Sequence, residues 1–189
     1  MAIKDGWKGR FFEDFEVGDV YRSRIGRTVT DADNVLFTLM SNNTNQIHFN
    51  VEYARRTGFE KPLVNSIVTL AVVAGLGVAD VSENGFALGW DRIDLPNPVF
   101  AGDTLYSESE VLEVRESRSR PGQGIVKVRT RGLKQDGTIV IEYSRSVMVW
   151  KRARAPLRDT FPGSGGGWGL IAQPGFVKRF ILCLASVRT

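Results

Sequence analysis

His48 is the single histidine of this 189-residue chain, and it stands in Ser-Asn-Asn-Thr-Asn-Gln-Ile-His-Phe-Asn, Ser41 to Asn50. An imidazole is the side chain best suited to exchange a proton with water near neutral pH. Around it lie four Asn and one Gln with no obvious structural role. Such amides compete with the backbone for hydrogen bonds, so the stretch makes a poor helix and a poor strand. Helix signals flank it on both sides, which makes it an irregular connection between rigid elements, the usual place for polar groups that serve a site. A lone histidine is more often a surface or satisfied core residue, so its setting has to decide.

The elements that must hold this connection can be read in order. Residues 1–18 form a polar lead-in dotted with aromatics, and Val20 to Val29 reads as a first strand. Thr30 is a helix N-cap, followed by Asp31 and Asp33 in the first turn, where the helix dipole favours acids. Val35, Leu36, Leu39 and Met40 then give helical spacing through about Ser41. Asn50 caps a short helix over Val51 to Thr57, stopped at Gly58. From Leu63 to Val81 the chain is apolar on nearly all sides, which predicts a buried helix. Within it Gly75 and Gly77 suggest close approach of another backbone, while Asn65, Ser66 and Thr69 argue against a membrane span.

Strand patterns follow at Phe86 to Leu95, Thr104 to Ser117, Ile125 to Leu133 and Thr138 to Trp150. Lys134-Gln-Asp-Gly137 joins the last two, with Asp-Gly where a hairpin turn requires it. The expected class is α+β, a long central helix wrapped by a curved antiparallel sheet, the hot-dog fold. A sheet of that kind leaves one edge open, which predicts a homodimer or a higher homo-oligomer.

Composition excludes several functions. The chain has 42% hydrophobic and 24% charged residues, ordinary for one globular domain. Of 25 Lys+Arg and 21 Asp+Glu, five cations and one acid lie after residue 152, leaving 20 of each in the body. A neutral body offers no basic face for nucleic acid. Cys183 is the one cysteine, so no internal disulfide is expected, and with a single His besides no metal site is expected. No signal-peptide core opens the sequence, and no run reaches the roughly 18–20 apolar residues of a membrane span. A cytoplasmic protein is expected. After Arg152, Pro156, Pro162 and Gly163-Ser-Gly-Gly-Gly167 read as a flexible linker, so 153–189 is expected to be a poorly ordered basic tail outside a domain over 10–152.

Asn42-Asn43-Thr44-Asn45-Gln46-Ile47-His48 resembles the Gly-Asp-x-Asn-Pro-(aliphatic)-His motif of MaoC-like dehydratases and (R)-specific enoyl-CoA hydratases. Lys61-Pro-Leu-Val-Asn-Ser66 is similar to the stretch that opens that family's central helix, and Leu95-Pro-Asn-Pro-Val99 and Gly102-Asp-Thr-Leu105 to its next strand and turn. The Asn-Thr-Asn-Gln-Ile-His-Phe-Asn variant resembles the mesaconyl-CoA or itaconyl-CoA hydratase subgroup. The resemblance implies addition of water to an α,β-unsaturated acyl-CoA thioester, in a small branched C5 dicarboxylyl case, with CoA as part of the substrate and no cofactor.

In that family a His and an Asp activate water, and a backbone N–H at the helix start binds the thioester oxygen. Carried over, His48 is the acid/base, Asn43 stands where the family has Asp, and Ser66 supplies the N–H. Asn65 and Asn45 are substrate-binding candidates beside them. Asn45 also reads as a turn residue bracing the loop, and Ser66 as no more than a helix start. An amide can position water and cannot take its proton, so Asn43 leaves a non-catalytic acyl-CoA-binding protein as an alternative. A hot-dog thioesterase is another, with Glu52 and Glu60 as the nearest carboxylates. Arg115, Arg118, Arg120, Arg129 and Arg131 could meet CoA phosphates, although alternating charges on a strand more often mark a solvated face.

Overall fold

The computed structural model describes residue 4 and residues 6–157. One compact unit spans Met1–Ala155, and the tail expected from 153 lies almost wholly outside the described residues. Strands β1 (Val20–Arg22) and β2 (Arg27–Thr28) precede helix α1 (Asp31–Met40), the short helix α2 (Val51–Ala54) and helix α3 (Ser66–Leu76). Strands β3 (Gly85–Asp94), β4 (Thr104–Glu116), β5 (Gln123–Lys134) and β6 (Ile139–Trp150) follow. The antiparallel sheet runs β1-β4-β5-β6-β3, with β2 also on β4.

The single strand expected over Val20–Val29 is broken in two. At the break, Ser23 takes Ser107 by one main-chain bond (2.8 Å) and by its own Oγ (3.1 Å). A Cβ on Gly26 would stand 2.6 Å from the Tyr106 ring. The bend therefore lets an aromatic side chain lie against backbone. Short helix α2 also stops earlier than expected, at Ala54, with Arg55 and Arg56 finishing in turn bonds.

Helix α1 begins as its sequence requires. Thr30 and Asp33 form a reciprocal capping box, and Arg27 reaches the Asp33 carboxylate at 2.6 Å. The face it buries is the unexpected one. Asn34 and Thr38 are its buried residues, while Leu36, Leu39 and Met40 are 61%, 55% and 82% exposed. The periodicity was real, but the neighbours of this helix are loop backbones that need hydrogen-bond partners, and polar side chains serve them.

Helix α3 is shorter than the 63–81 expectation. Leu63 and Val64 are spent on pairing: their N–H groups bond to Ile47 O (3.1 Å) and Val99 O (2.9 Å). Asn65 caps, and a π turn over Val78–Ser82 continues the path. Nor is it buried all round. Val68, Thr69 and Val73 face the core, where Val29, Val64, Leu105, Val140, Ile141 and Tyr143 gather. Ile67 and Val78 are 53% and 38% exposed, with Ala71 and Gly75 between them on the open side. One sheet covers one face of a helix. A second cluster, with Phe15, Val81, Val111, Val126, Val128, Val147 and Val149, closes the other end.

Close approach occurs at a strand glycine. Gly75 has nothing within 4 Å of an added Cβ, and Gly77 only ordinary contacts. At Gly132 on β5 that Cβ would meet Val73 Cγ2 at 2.5 Å and Ile141 Cγ2 at 2.7 Å. The missing side chain is what lets α3 settle on the sheet. Gly132→Ala is expected to lower stability by about 1–3 kcal/mol through overpacking, read as a shift of the urea midpoint at unchanged slope.

Candidate active site

The amides around His48 turn out to have structural work. Asn42 takes a left-handed backbone (φ 52). Asn43 Oδ1 accepts the Asn45 N–H at 2.9 Å, and its own N–H reaches Thr38 O at 3.0 Å. Asn45 Oδ1 accepts the Ile47 N–H (3.2 Å) and so opens the 3-10 turn Gln46–His48. Asn50 caps α2 through the Tyr53 N–H at 3.0 Å and donates to Gln46 Oε1 at 2.7 Å. Each amide replaces a ladder bond that this irregular path cannot make. The loop is thereby held rigid by its own side chains.

The turn delivers His48 to a buried position, 8% exposed. Its Nδ1 lies 2.8 Å from Leu63 O. A carbonyl oxygen can only accept, so in the neutral ring Nδ1 carries the proton and Nε2 keeps its lone pair. His48 lines a cavity of about 330 Å³ together with Ser66 and Thr69 of α3 and the segment 95–99. Phe59, Leu63, Val64, Leu95 and Val99 make it largely apolar, and Asn97 is polar on the same wall. That size lies at the low end for small-molecule sites.

Ser66 is the first residue of α3, and its N–H forms no hydrogen bond among the described residues. A helix start of this kind presents free N–H groups and the positive end of the dipole. Asn65 sits behind it, 3% exposed, with Oδ1 accepting the Ile67 N–H at 3.0 Å and Nδ2 reaching Thr38 Oγ1 at 3.3 Å. The structure therefore brings His48 and Ser66 to one cavity. Asn43, Asn45 and Asn65 are not among the residues that line it; they brace the elements that do. Thr69, Phe59 and Asn97 were missed. Thr69 had a signal, being one helical turn beyond Ser66 on the same face, and Asn97 lies in the 95–99 stretch that resembles the family, whereas Phe59 comes from a loop with none.

No carboxylate hydrogen-bonds to His48 among the described residues, and neither Glu52 nor Glu60 lines the cavity. Glu52 is paired with Arg55 at 2.5 Å on the surface. A second concavity, about 640 Å³, runs along α3 past Ala71, Val72 and Leu76. Its carboxylate, Asp80, is already held by Arg10 (3.4 Å) and Arg24 (3.1 Å). No group of three or more His, Cys, Asp and Glu among the described residues could hold a metal ion. The strand arginines are engaged elsewhere. Arg129 pairs with Glu110 (2.6 Å), and Arg131 and Arg22 both pair with Glu108 (2.5 and 2.6 Å). Those guanidiniums, Arg22 first, hold the Glu108 carboxyl below the usual carboxylate range. For Arg129 and Arg131 the solvated face is what the structure shows.

A family model described as mesaconyl-CoA hydratase matches residues 3–161. The chain belongs to the mesaconyl-CoA hydratase family. It is 36% identical over 173 residues to a mesaconyl-CoA hydratase of Cereibacter sphaeroides, covering 88% of this chain and 50% of that protein. A MaoC-like dehydratase structure from Rhodospirillum rubrum is 30% identical with a TM-score of 0.68, covering 79% of this chain and 100% of that one. A Mycobacterium tuberculosis protein with a double hotdogfold gives a TM-score of 0.69 at 20% identity, covering 84% of this chain and 48% of that one, a likeness of fold alone. The fold is thus a hot-dog, and the chain spans about half the length of the curated hydratases it first matches.

One consequence of the Leu63 contact is directly observable. With a single histidine in the chain, the ¹⁵N imidazole spectrum of the full-length protein belongs to His48 alone. The neutral ring is expected to show one tautomer, with Nδ1 protonated; a dominant Nε2–H form would contradict the geometry.

Proposed function

We propose that this chain is a hydratase/dehydratase unit that adds water across the double bond of an α,β-unsaturated acyl-CoA thioester, or removes it in reverse. The observation that carries this is the pairing of a tautomer-fixed His48 with the unbonded Ser66 N–H on one apolar cavity. In this reading His48 Nε2 takes a proton from water as the hydroxyl oxygen bonds to the β-carbon. The π electrons move onto the thioester oxygen, where the Ser66 N–H and the helix dipole stabilise the enolate. The imidazolium then returns its proton to the α-carbon as the carbonyl re-forms. No cofactor enters, since CoA is part of the substrate.

Asn43 has a bracing role in this scheme, holding the turn that carries the base. Its family counterpart is an Asp, so His48 works here without a carboxylate from its own loop. The apolar walls suit a short acyl chain. The family match and the Asn-Thr-Asn-Gln-Ile-His-Phe-Asn motif support a small branched C5 dicarboxylyl group such as mesaconyl. A thioesterase reading finds no carboxylate on the cavity wall to support it.

A second hot-dog unit completes the assembly in this reading, supplied by another copy of the chain. Strand β3 ends the sheet, so its outer edge is unpaired among the described residues. Phe86, Leu88, Trp90 and Ile93 on it are each 42–48% exposed, and the α3 stripe from Ile67 to Val78 is open as well. The relation of this chain to relatives of about twice its length points to a like unit as the occupant.

Purified full-length protein is expected to bleach the enoyl-thioester absorbance of crotonyl-CoA or mesaconyl-CoA. His48→Ala should lose roughly 10²–10⁴-fold in kcat; turnover by His48→Ala at the wild-type rate would move the site elsewhere, and free thiol without hydrated product would favour the thioesterase. Light scattering is expected to give a dimer or larger, and Ile93→Lys to shift it toward monomer. A wild-type monomer at working concentration would contradict the second unit.

A further inference from the structure

The buried polar face of α1 has a more specific use. We infer that Asn34 is the positioning residue of the site, a single amide that sets the His48 loop and the first turn of α3 as one unit. The inference rests on the hydratase reading for its kinetic consequence, but its geometry is independent of it. Asn34 is 2% exposed. Its Nδ2 donates to His48 O at 2.7 Å and to Leu63 O at 3.1 Å, and its Oδ1 accepts the Asn65 N–H at 2.8 Å. An N–H can only donate and a carbonyl can only accept, so the amide has one permissible orientation.

The Leu63 carbonyl is the junction. It accepts the Asn34 amide and the His48 ring together. Moving the Asn34 side chain therefore moves the acceptor that fixes the imidazole tautomer. On its other side the same amide holds the main chain at Asn65, one residue before the Ser66 N–H. Base and oxyanion donor are thus referenced to one side chain, although they come from segments 18 residues apart in the chain. Thr38, one turn along α1, repeats the arrangement with Asn65 Nδ2 and the Asn43 N–H. The capping box and the Arg27–Asp33 pair anchor the helix that carries both. The contacts that Asn34 makes are to backbone alone, which is what a general scaffold residue would also show; the shared Leu63 acceptor is what distinguishes it.

Tautomer and kcat in Asn34→Asp and Asn34→Ala, set against melting temperature, separate positioning from a structural role. Aspartate keeps the size and the acceptor for Asn65, and loses both donors to the carbonyls. In folded Asn34→Asp the His48 imidazole spectrum is expected to change from one tautomer to a mixture. With crotonyl-CoA, kcat is expected to fall about 100-fold, the scale of a 1 Å misplacement, with KM within about threefold. Asn34→Ala should show both effects as well. A merely structural role would lower the melting temperature and leave tautomer and kcat at their wild-type values, and that result would overturn the inference. Wild-type protein provides a check that needs no variant: the Asn34 side-chain amide protons should exchange with solvent far more slowly than those of exposed Asn45, and equal exchange would also overturn it. If wild type hydrates no enoyl-CoA while the tautomer still depends on Asn34, the hydratase reading fails and the positioning role stands.

Discussion

A carbonyl oxygen has two lone pairs, and the site depends on both lone pairs of Leu63. One takes the His48 ring and the other the Asn34 amide. Buried polar groups must find partners, because each one left unpaired costs about 1–3 kcal/mol. Around the start of α3 this demand is concentrated. The chain enters the helix through Leu63, Val64 and Asn65, whose N–H groups bond to Ile47, Val99 and the Asn34 side chain. Irregular backbone can be buried here because three other segments supply what a helix or sheet would have supplied. The same satisfaction that stabilises the junction aims the imidazole and leaves the Ser66 N–H unspent.

The sheet contributes a surface of the right shape. Its inner face is apolar at both ends, with Ser107, Ser109, Thr130 and Arg145 buried between them, and at Gly132 it has a dimple that admits Val73 of the helix. Its outer face carries the ion pairs of Glu108 and Glu110 with Arg22, Arg129 and Arg131. Those pairs are largely exposed, and exposed pairs contribute little each. They keep the outer face wetted and fix which side of each strand turns inward. The position of α3, and with it the position of Ser66, follows from the inner face.

The open side of α3 follows from the same packing. A helix that is apolar all round needs cover on both sides, and one sheet gives it one. Among the described residues the stripe Ile67, Ala71, Gly75 and Val78 is the uncovered side. The edge of β3 is likewise unpaired among the described residues.

Much of this was legible in the residues. Alternation and turn chemistry located four long strands to within a residue or two, since Asp136-Gly137 and the Pro96-Asn-Pro98 segment are strong local signals. Thr30 and Asn50 marked helix starts because a cap is a local bond between near neighbours, whereas the cap at Asn65 fell inside the helix expected from Leu63. His48 and Ser66 could be singled out by motif. The rest was decided by contacts between residues far apart in sequence. Nothing local says that α1 buries Asn34 and Thr38 rather than Leu36 and Leu39; that depends on whether the neighbouring surface is side chain or backbone. Nothing local distinguishes Gly132 from Gly75 as the point of close approach. Asn43 and Asn45 became site candidates through the motif they share with the family, Asn45 also as a loop brace, and the path of the chain shows their oxygens turned onto their own backbone. Sequence determined which elements form and which side chain could move a proton. Tertiary structure decided which polar groups are spent on holding the backbone and which remain free for a ligand, because that choice is made by the partners each group meets after folding.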